Sequence, residues 1–176
     1  MRIERDQTIA LAIDFQEKLI PAIKDHEALM KRVEIFLKGL KVLNVPTVIT
    51  QQYTKGLGMS PQNIFDVVGT NEYLDKITFS ACGVAEPLIR GKRYVLICGM
   101  EAHCCVLQTL IDVAALGYVP VLVTDCIGSR KDRDLQMAIT RAGQEGAVIT
   151  TYEAILFELL KEAGTPECKE ILKLVK

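Results

Sequence analysis

The chain has 176 residues, a formal net charge of -1 and 49% hydrophobic residues, with six cysteines and no tryptophan. This length is typical of one domain that buries its core without disulfides, and the balanced charge argues against nucleic acid or an anionic membrane as a partner. No apolar run is long enough to span a bilayer, and the first residues lack the apolar core of a signal peptide. We therefore predict a single domain over residues 1–176, in a reducing, cytoplasmic compartment where the cysteines stay free.

Short apolar runs alternate along the chain with longer segments of helical spacing. This alternation predicts βαβ units and hence an α/β fold, a three-layer αβα sandwich around a mainly parallel, doubly wound sheet. The short runs are almost continuously hydrophobic, as expected for strands buried on both faces. Strands are predicted at 8–14, 45–52, 94–99, 118–125 and 146–151, and helices at about 27–44, 82–91, 103–117, 132–145 and 152–163.

Residues that end or cap helices fall between these segments. Asn44 and Gly117 each follow a predicted helix, and Ser129 or Asp132 is expected to cap the next one. The stretch 52–73 is the least regular, which predicts a long loop of functional importance. Its glycine spacing does not fit a phosphate-binding loop.

In an open parallel sheet, ligands bind beyond the carboxyl ends of the strands. The residues where the predicted strands stop are therefore the first place to look for a functional site. They are Asp14 and Phe15, Gln51 to Tyr53, Gly99 to Cys105, and Asp125 to Arg130.

Two adjacent cysteines, Cys104 and Cys105, follow the predicted strand 94–99. In the first turn of a helix, unpaired N–H groups and the helix dipole favour a thiolate, so one of the two is a candidate nucleophile. Neighbouring helical positions point about 100° apart, so only one thiol can face the strand ends. The pattern by itself does not say which one.

A thiol nucleophile needs a base, and the two histidines are poor candidates. His26 falls in a charged helix start, and His103 has a spacing from Cys105 at which helical side chains do not face each other. Asp14 ends an apolar strand, where burial can raise the pKa of its carboxyl group toward that of a general base, although it could equally cap a helix. Lys76 is either a solvated surface lysine or an ammonium that holds the carboxylate and stabilises a thiolate.

Several motifs in order carry a resemblance to a known family. They are "ALAIDFQEKLIPAI", "VITQQYTKGLG", "DKITFSA", "LICGMEAHCCVLQT", "VLVTDCIGSR" and "GAVITTYEAILFELL". With them the chain resembles the isochorismatase-like cysteine hydrolase superfamily, which includes nicotinamidases and N-carbamoylsarcosine amidases, and within it the isochorismatase domain-containing proteins. The resemblance covers nearly the whole chain and implies a Rossmann-like fold.

The resemblance implies a catalytic triad of Asp14, Lys76 and Cys105, which makes Cys105 the nucleophile and Cys104 a packing residue. It also implies a cis peptide between Met100 and Glu101, with the N–H groups of Glu101 and Cys105 forming an oxyanion hole. The implied enzyme is a hydrolase of the amidase type. It cleaves a carbon–nitrogen bond in a small amide or ureido-type substrate through a covalent thioester.

No metal or other cofactor is expected. Nicotinamidases carry an Asp-x-His metal pair, and the matching positions here are Gln52 and Thr54, which are not the ligands of such a zinc site. The candidates for contacting the substrate are Gln16, Tyr53 and Phe79.

Two other functions stay open at this point. One is a thiol redox protein that uses Cys104 and Cys105, although adjacent cysteines form a strained ring and CxxC spacing is absent. The other is an interaction protein that keeps the fold with little or no activity. A homo-oligomer is expected from the resemblance and from apolar positions in the C-terminal segment "CKEILKLVK".

Overall fold

A six-stranded sheet forms the middle layer of the computed structural model, which describes residues 1–176. All neighbouring strands are parallel, and their order is β3-β2-β1-β4-β5-β6. This arrangement confirms the predicted α/β fold. The strands are β1 (Thr8–Ile13), β2 (Thr47–Gln52), β3 (Leu74–Lys76), β4 (Tyr94–Met100), β5 (Val119–Gly128) and β6 (Val148–Thr150).

Helices cover both faces of the sheet. They are α1 (His26–Val42), α2 (Thr54–Leu57), α3 (Gln62–Val68), α4 (Cys82–Ile89), α5 (Leu107–Ala115), α6 (Asp132–Gln144), α7 (Tyr152–Leu160) and α8 (Pro166–Val175). Short 3₁₀ turns lie at Arg5–Gln7 and Ile20–Ala22, and a π-helical turn lies at Ala102–Val106. None of these helices has the length and hydrophobicity needed to cross a membrane.

Two apolar cores lie on opposite faces of the sheet. Helices α1, α3, α7 and α8 pack on one face, and α4, α5 and α6 pack on the other. Every residue of β1 and β4 is buried because these central strands have helices on both sides. This explains why their sequences are almost uninterrupted hydrophobic runs.

The order of the strands reverses between β1 and β4, and this places the ends of both strands at one crevice. Gly99 lies beside Ile13 in the neighbouring strand and has φ 148°. A Cβ atom at position 99 would clash with the Ile13 carbonyl, so the close approach of the two strand ends requires glycine there. Asp14 and the turn after Met100 meet at this point.

Three predictions differ from the structure. The short strand β3 was not predicted, and the segment 52–73 contains α2 and α3 instead of being one long loop. Neither Ser129 nor Asp132 caps α6: the helix begins at Asp132, no side chain caps it, and the Ser129 hydroxyl is 3.0 Å from His103 Nδ1. The pairing of β3 with β2 and the bond of Ser129 to His103 join segments that are distant in the chain, so a local sequence pattern does not show them.

The C-terminal helix α8 uses its apolar positions within the chain. Cys168 and Ile171 are buried, and Leu174 and Val175 pack against the core beneath the helix. Leu172 is the exposed large apolar residue of this helix. The segment therefore does not support an interface in the way its sequence suggests.

Candidate active site

A buried ion pair lies at the carboxyl ends of β1 and β3. Lys76 Nζ is 2.7 Å from Asp14 Oδ2, and both side chains are fully buried. The other carboxylate oxygen, Asp14 Oδ1, accepts a hydrogen bond of 2.8 Å from the Thr50 hydroxyl at the end of β2. Two buried charges are stable only when they are paired and hydrogen-bonded, and this pair meets both conditions.

The ammonium of Lys76 has further acceptors around it. It donates to Gln52 Oε1 at 2.7 Å and to the Phe79 carbonyl at 2.9 Å, with the Thr78 carbonyl at 3.3 Å. The prediction left open whether Lys76 is a solvated surface lysine, and in the structure it is enclosed. The short strand β3 matters to the site because it carries this lysine into the crevice.

The surroundings of Asp14 change the pKa of its carboxyl group. Burial raises the pKa of the Asp14 carboxyl group, and the charge of Lys76 and hydrogen bonds from Lys76, Cys105 and Thr50 oppose that rise. The net shift is upward, which agrees with the prediction that burial raises it. A carboxyl group with a raised pKa accepts a proton more readily near neutral pH, as a general base requires.

Cys105 lies in the π-helical turn that follows β4 and is 6% exposed. Its thiol faces the Asp14 carboxylate closely enough to affect the titration of both groups. Burial and the negative charge of Asp14 raise the pKa of the Cys105 thiol, and Lys76 opposes them. The sequence favours a thiolate at a helix start, whereas in the structure burial and the charge of Asp14 act against one at Cys105.

Of the two adjacent thiols, Cys105 is the one beside the ion pair. Cys104 is half-buried and its pKa is raised by burial, with a hydrogen bond from Cys105 opposing this. Since neighbouring positions of a helical turn point in different directions, the structure resolves the alternative that the sequence pattern left open.

The backbone before Cys105 has an unusual geometry. The Met100–Glu101 peptide bond is cis, as the resemblance implies. The Glu101 carbonyl accepts hydrogen bonds from the N–H groups of Cys104 at 3.1 Å and Val106 at 3.3 Å, whereas the Glu101 N–H has no protein acceptor. The Glu101 carboxylate is 2.8 Å from Arg130 Nε, so Arg130 organises this turn.

Three further residues hold the site together, and the sequence did not indicate their roles. Thr50 binds Asp14 and Gln52 binds Lys76, as described above. The Thr109 hydroxyl donates to the Cys105 carbonyl at 2.6 Å and accepts from the Ala81 N–H at 2.8 Å. Thr109 thereby joins the cysteine turn to the segment that leads from Lys76 into α4. The available signal was weak: Thr50 and Gln52 lie near a predicted strand end.

The three residues predicted to contact the substrate are in different environments. Gln16 is buried, and its side-chain amide is occupied by backbone groups: it donates to the carbonyls of Gln52 at 3.1 Å and Gly58 at 2.7 Å, and accepts from the Gln52 N–H at 2.7 Å. Its geometry supports a role in shaping the loop instead of contacting a ligand. Tyr53 and Phe79 are 52% and 53% exposed, so their side chains are available to a ligand.

The structure contains no cluster of three or more His, Cys, Asp or Glu side chains arranged to hold a metal ion. At the two positions that correspond to the nicotinamidase metal pair, both side chains are engaged. Gln52 Oε1 is bound to Lys76, and the Thr54 hydroxyl is hydrogen-bonded to Asp75 and Gln51.

The fold and this site define a class of protein: an isochorismatase-like α/β hydrolase, with a cysteine at the topological switch point of an all-parallel sheet. The model of the isochorismatase domain matches residues 8–154, and the chain therefore belongs to the isochorismatase family. The matched range includes Asp14, Lys76 and Cys105.

Relatives and solved structures agree with this assignment. The isochorismatase domain-containing protein 1 of Salmo salar is 33% identical over 175 residues, which cover 96% of this chain and 61% of the relative, so the chain spans less than two thirds of that protein. The structure of the MAR1 ribonuclease from Caenorhabditis elegans superimposes with a TM-score of 0.95 at 32% identity, covering 99% of this chain and 92% of that one. The YcaC gene product from Escherichia coli, an octameric hydrolase of unknown specificity, shares the fold with a TM-score of 0.86 at 21% identity over 92% of this chain and 83% of its own.

Proposed function

We propose that this protein is a cysteine hydrolase that cleaves the carbon–nitrogen bond of a small amide or ureido-type substrate without a metal or other cofactor. The observation that carries the proposal is the buried Lys76–Asp14 ion pair, whose two charges act on the buried Cys105 thiol. This arrangement provides a nucleophile, a proton acceptor and a fixed positive charge in one crevice.

The proposed reaction has two halves. Asp14 takes the proton of the Cys105 thiol while the sulfur attacks the substrate carbonyl, and the N–H groups of Glu101 and Cys105 hold the oxyanion of the tetrahedral intermediate. The carbon–nitrogen bond then breaks, the amine leaves with the proton from Asp14, and a thioester remains. Asp14 next takes a proton from water, which attacks the thioester. The carbon–sulfur bond breaks, the thiol regains its proton, and the acid leaves.

The raised pKa of Cys105 determines how the first step runs. The thiol is neutral at rest, so proton transfer to Asp14 accompanies the attack and does not precede it. Lys76 Nζ is 2.7 Å from Asp14 Oδ2, and its positive charge favours the ionised form of Asp14, which accepts that proton.

An assay of amine release tests the proposal. A panel of small amides and ureido compounds is incubated with the wild type, Cys105→Ala and Cys104→Ala. We expect turnover in the wild type and Cys104→Ala and none in Cys105→Ala, with an acyl adduct on Cys105 after an acid quench. Turnover that survives in Cys105→Ala would contradict the proposal, and equal loss in both variants would favour thiol redox chemistry.

RNA cleavage is a second candidate, favoured by the name and 32% identity of the Caenorhabditis elegans protein. The net charge of -1 gives no overall excess of positive charge to attract a phosphate backbone, and Lys76, the cation of the site, is buried. Incubation of labelled RNA with the wild type and Cys105→Ala separates the two candidates. Cleavage by the wild type that Cys105→Ala lacks would favour this second function.

The proposal includes a single domain that assembles as a homo-oligomer in the cytoplasm. Six free cysteines fit a reducing compartment. Tyr53, Ile77 and Phe79, in the segments that border the site, have side chains that are 52%, 71% and 53% exposed. Exposed apolar side chains so close together support a subunit interface at this surface. Light scattering that gives the mass of a monomer over the working range of concentrations would remove the claim of an oligomer.

A further inference from the structure

The ammonium of Lys76 has all its protons committed within the protein. An ammonium has three protons and no acceptor site. Three oxygen atoms lie within 3 Å of Lys76 Nζ, namely Asp14 Oδ2 at 2.7 Å, Gln52 Oε1 at 2.7 Å and the Phe79 carbonyl at 2.9 Å. Lys76 therefore has no proton left for a substrate and acts through its charge.

Gln52 provides the one neutral side-chain acceptor in this set. The orientation of its amide follows from its partners: the amide nitrogen donates to the Ile77 carbonyl at 2.7 Å, so the oxygen points to Lys76. The main chain of Gln52 is also fixed, because both its N–H and its carbonyl bind the Gln16 amide. Three hydrogen bonds, two to the Gln16 amide and one to the Ile77 carbonyl, thus fix the position of the acceptor oxygen.

We infer that Gln52 is a positioning residue that holds the Lys76 ammonium beside Asp14, so that Asp14 is ionised when the thiol proton must be taken. This inference rests on the proposed function and deepens it. Gln52 need not touch the substrate, because it acts through Lys76. Asp14 can accept a proton only in its ionised form, and a nearby positive charge favours that form.

The direction of the expected effect follows from the charged groups around the pair. The titratable groups that affect Asp14, Lys76 and their neighbouring thiols are Cys105, Cys104, Glu101 and Asp75. Loss of the Gln52 oxygen removes one of the acceptors that hold the ammonium 2.7 Å from Asp14 Oδ2, and a more distant positive charge favours the Asp14 carboxylate less. Asp14 then ionises only at a higher pH.

Alkylation of Cys105 by iodoacetamide measures this ionisation without a known substrate. Labelling is followed against pH, and fragment ions distinguish Cys105 from Cys104. In Gln52→Met we expect the acid limb of the profile for Cys105 to move up by roughly one pH unit, because part of the lowering of about 1–3 units that a nearby cation gives a carboxyl group is then lost. On the acid limb itself, a shift of that size lowers the rate at a given pH about tenfold.

Gln51→Met is the matched control. Gln51 is a buried glutamine of the same strand, but its amide pairs with Ser60 and Thr54 instead of Lys76. We expect the limb to stay in place in this variant. Equal shifts in Gln51→Met and Gln52→Met would overturn the inference, because both would then report a disturbed strand.

Two more variants, Asp14→Asn and Gln52→Glu, distinguish a failure of the role of Gln52 from a failure of the proposed function. Asp14→Asn removes the limb if Asp14 is the base. A limb that disappears in Asp14→Asn but does not move in Gln52→Met overturns the role of Gln52 and leaves the proposed function intact. A limb unchanged in Asp14→Asn overturns both. If Gln52→Met does not fold, Gln52→Glu replaces it: a second carboxylate competes for Lys76, and the limb again moves up, whereas an unmoved limb contradicts the inference.

Discussion

The middle of β4 and the turn that follows it each carry a buried thiol, and the two differ in their charged neighbours. Burial alone raises the pKa of Cys98 to about 12. Cys105 is also desolvated, but the charges of the Asp14 carboxylate and the Lys76 ammonium both act on its thiol. Burial therefore keeps both thiols neutral, and only Cys105 has a partner that can take its proton.

The largest effect expected from this comparison is on Cys105 itself. Cys105→Ala removes the nucleophile, so the acyl adduct and turnover disappear completely, as measured by intact mass spectrometry and amine release. Cys98→Ala leaves both in place because Cys98 is not part of the crevice. Comparable loss in the two variants would show that the cysteines act through the packing of β4.

The ion pair that distinguishes Cys105 also contributes to folding. Lys76→Met leaves the buried Asp14 carboxylate without its partner, and breaking a buried pair costs about 3–5 kcal/mol. We expect the free energy of unfolding in urea at pH 7 to fall by that amount, with part of the loss recovered at pH 4 because Asp14 is then protonated. Lys161→Met, at an exposed pair with Glu4, is the control and should cost little.

A smaller loss of stability is expected when the link between the cysteine turn and α4 is removed. Thr109→Val keeps the shape of the side chain but leaves the Ala81 N–H without its acceptor, and a buried polar group without a partner costs about 1–3 kcal/mol. We expect a loss of stability in that range and slower alkylation of Cys105. Thr124→Val, which removes a partly buried hydrogen bond to the Thr150 carbonyl in the edge strand β6, should leave alkylation unchanged.

The smallest expected effect is the contribution of Cys98 to the free energy of unfolding at alkaline pH. The unfolded chain releases this thiol proton near pH 9, whereas the folded chain keeps it to a pH of about 12, so the free energy of unfolding falls as pH rises above about 9. The share due to Cys98 is about 1 kcal/mol at pH 10, from the proton-linkage relation.

Urea unfolding at pH 8 and pH 10 measures this share. Cys98→Ala should lose about 1 kcal/mol less than the wild type between the two values, whereas Val95→Ala, a cavity on the same strand without a titratable group, should lose as much as the wild type. An unchanged pH dependence in Cys98→Ala would mean that the thiol is not desolvated as the structure indicates.

Much of the architecture could be read from local patterns. The uninterrupted apolar runs of β1 and β4 predict strands buried on both sides, and Gly117 and Asn44 lie after α5 and α1 with positive φ, as helix ends require. Strand β3 was missed because it has only three residues, Leu74–Lys76, and two of them are charged. A strand this short at the edge of a sheet has no periodic pattern to detect.

The candidate site could be predicted only in part. The ends of β1 and β4 pointed to Asp14 and the cysteine pair, and the resemblance added Lys76. The sequence did not show that Thr50, Gln52 and Thr109 hold these groups, because each bond joins segments that are far apart in the chain. It also did not show the burial that raises the pKa of Cys105, since desolvation depends on how many atoms surround a group.

The sequence by itself determined the alternation of helices with five of the six strands, the placement of polar residues at strand ends, and membership of the isochorismatase family through motifs spread over residues 8–154. These properties are local or carried by motifs. The tertiary structure decided that Cys105 faces Asp14, that Lys76 is buried, and that Gln52 binds Lys76. Distances and burial arise only when the strands come together, and the energy of a charge depends on both.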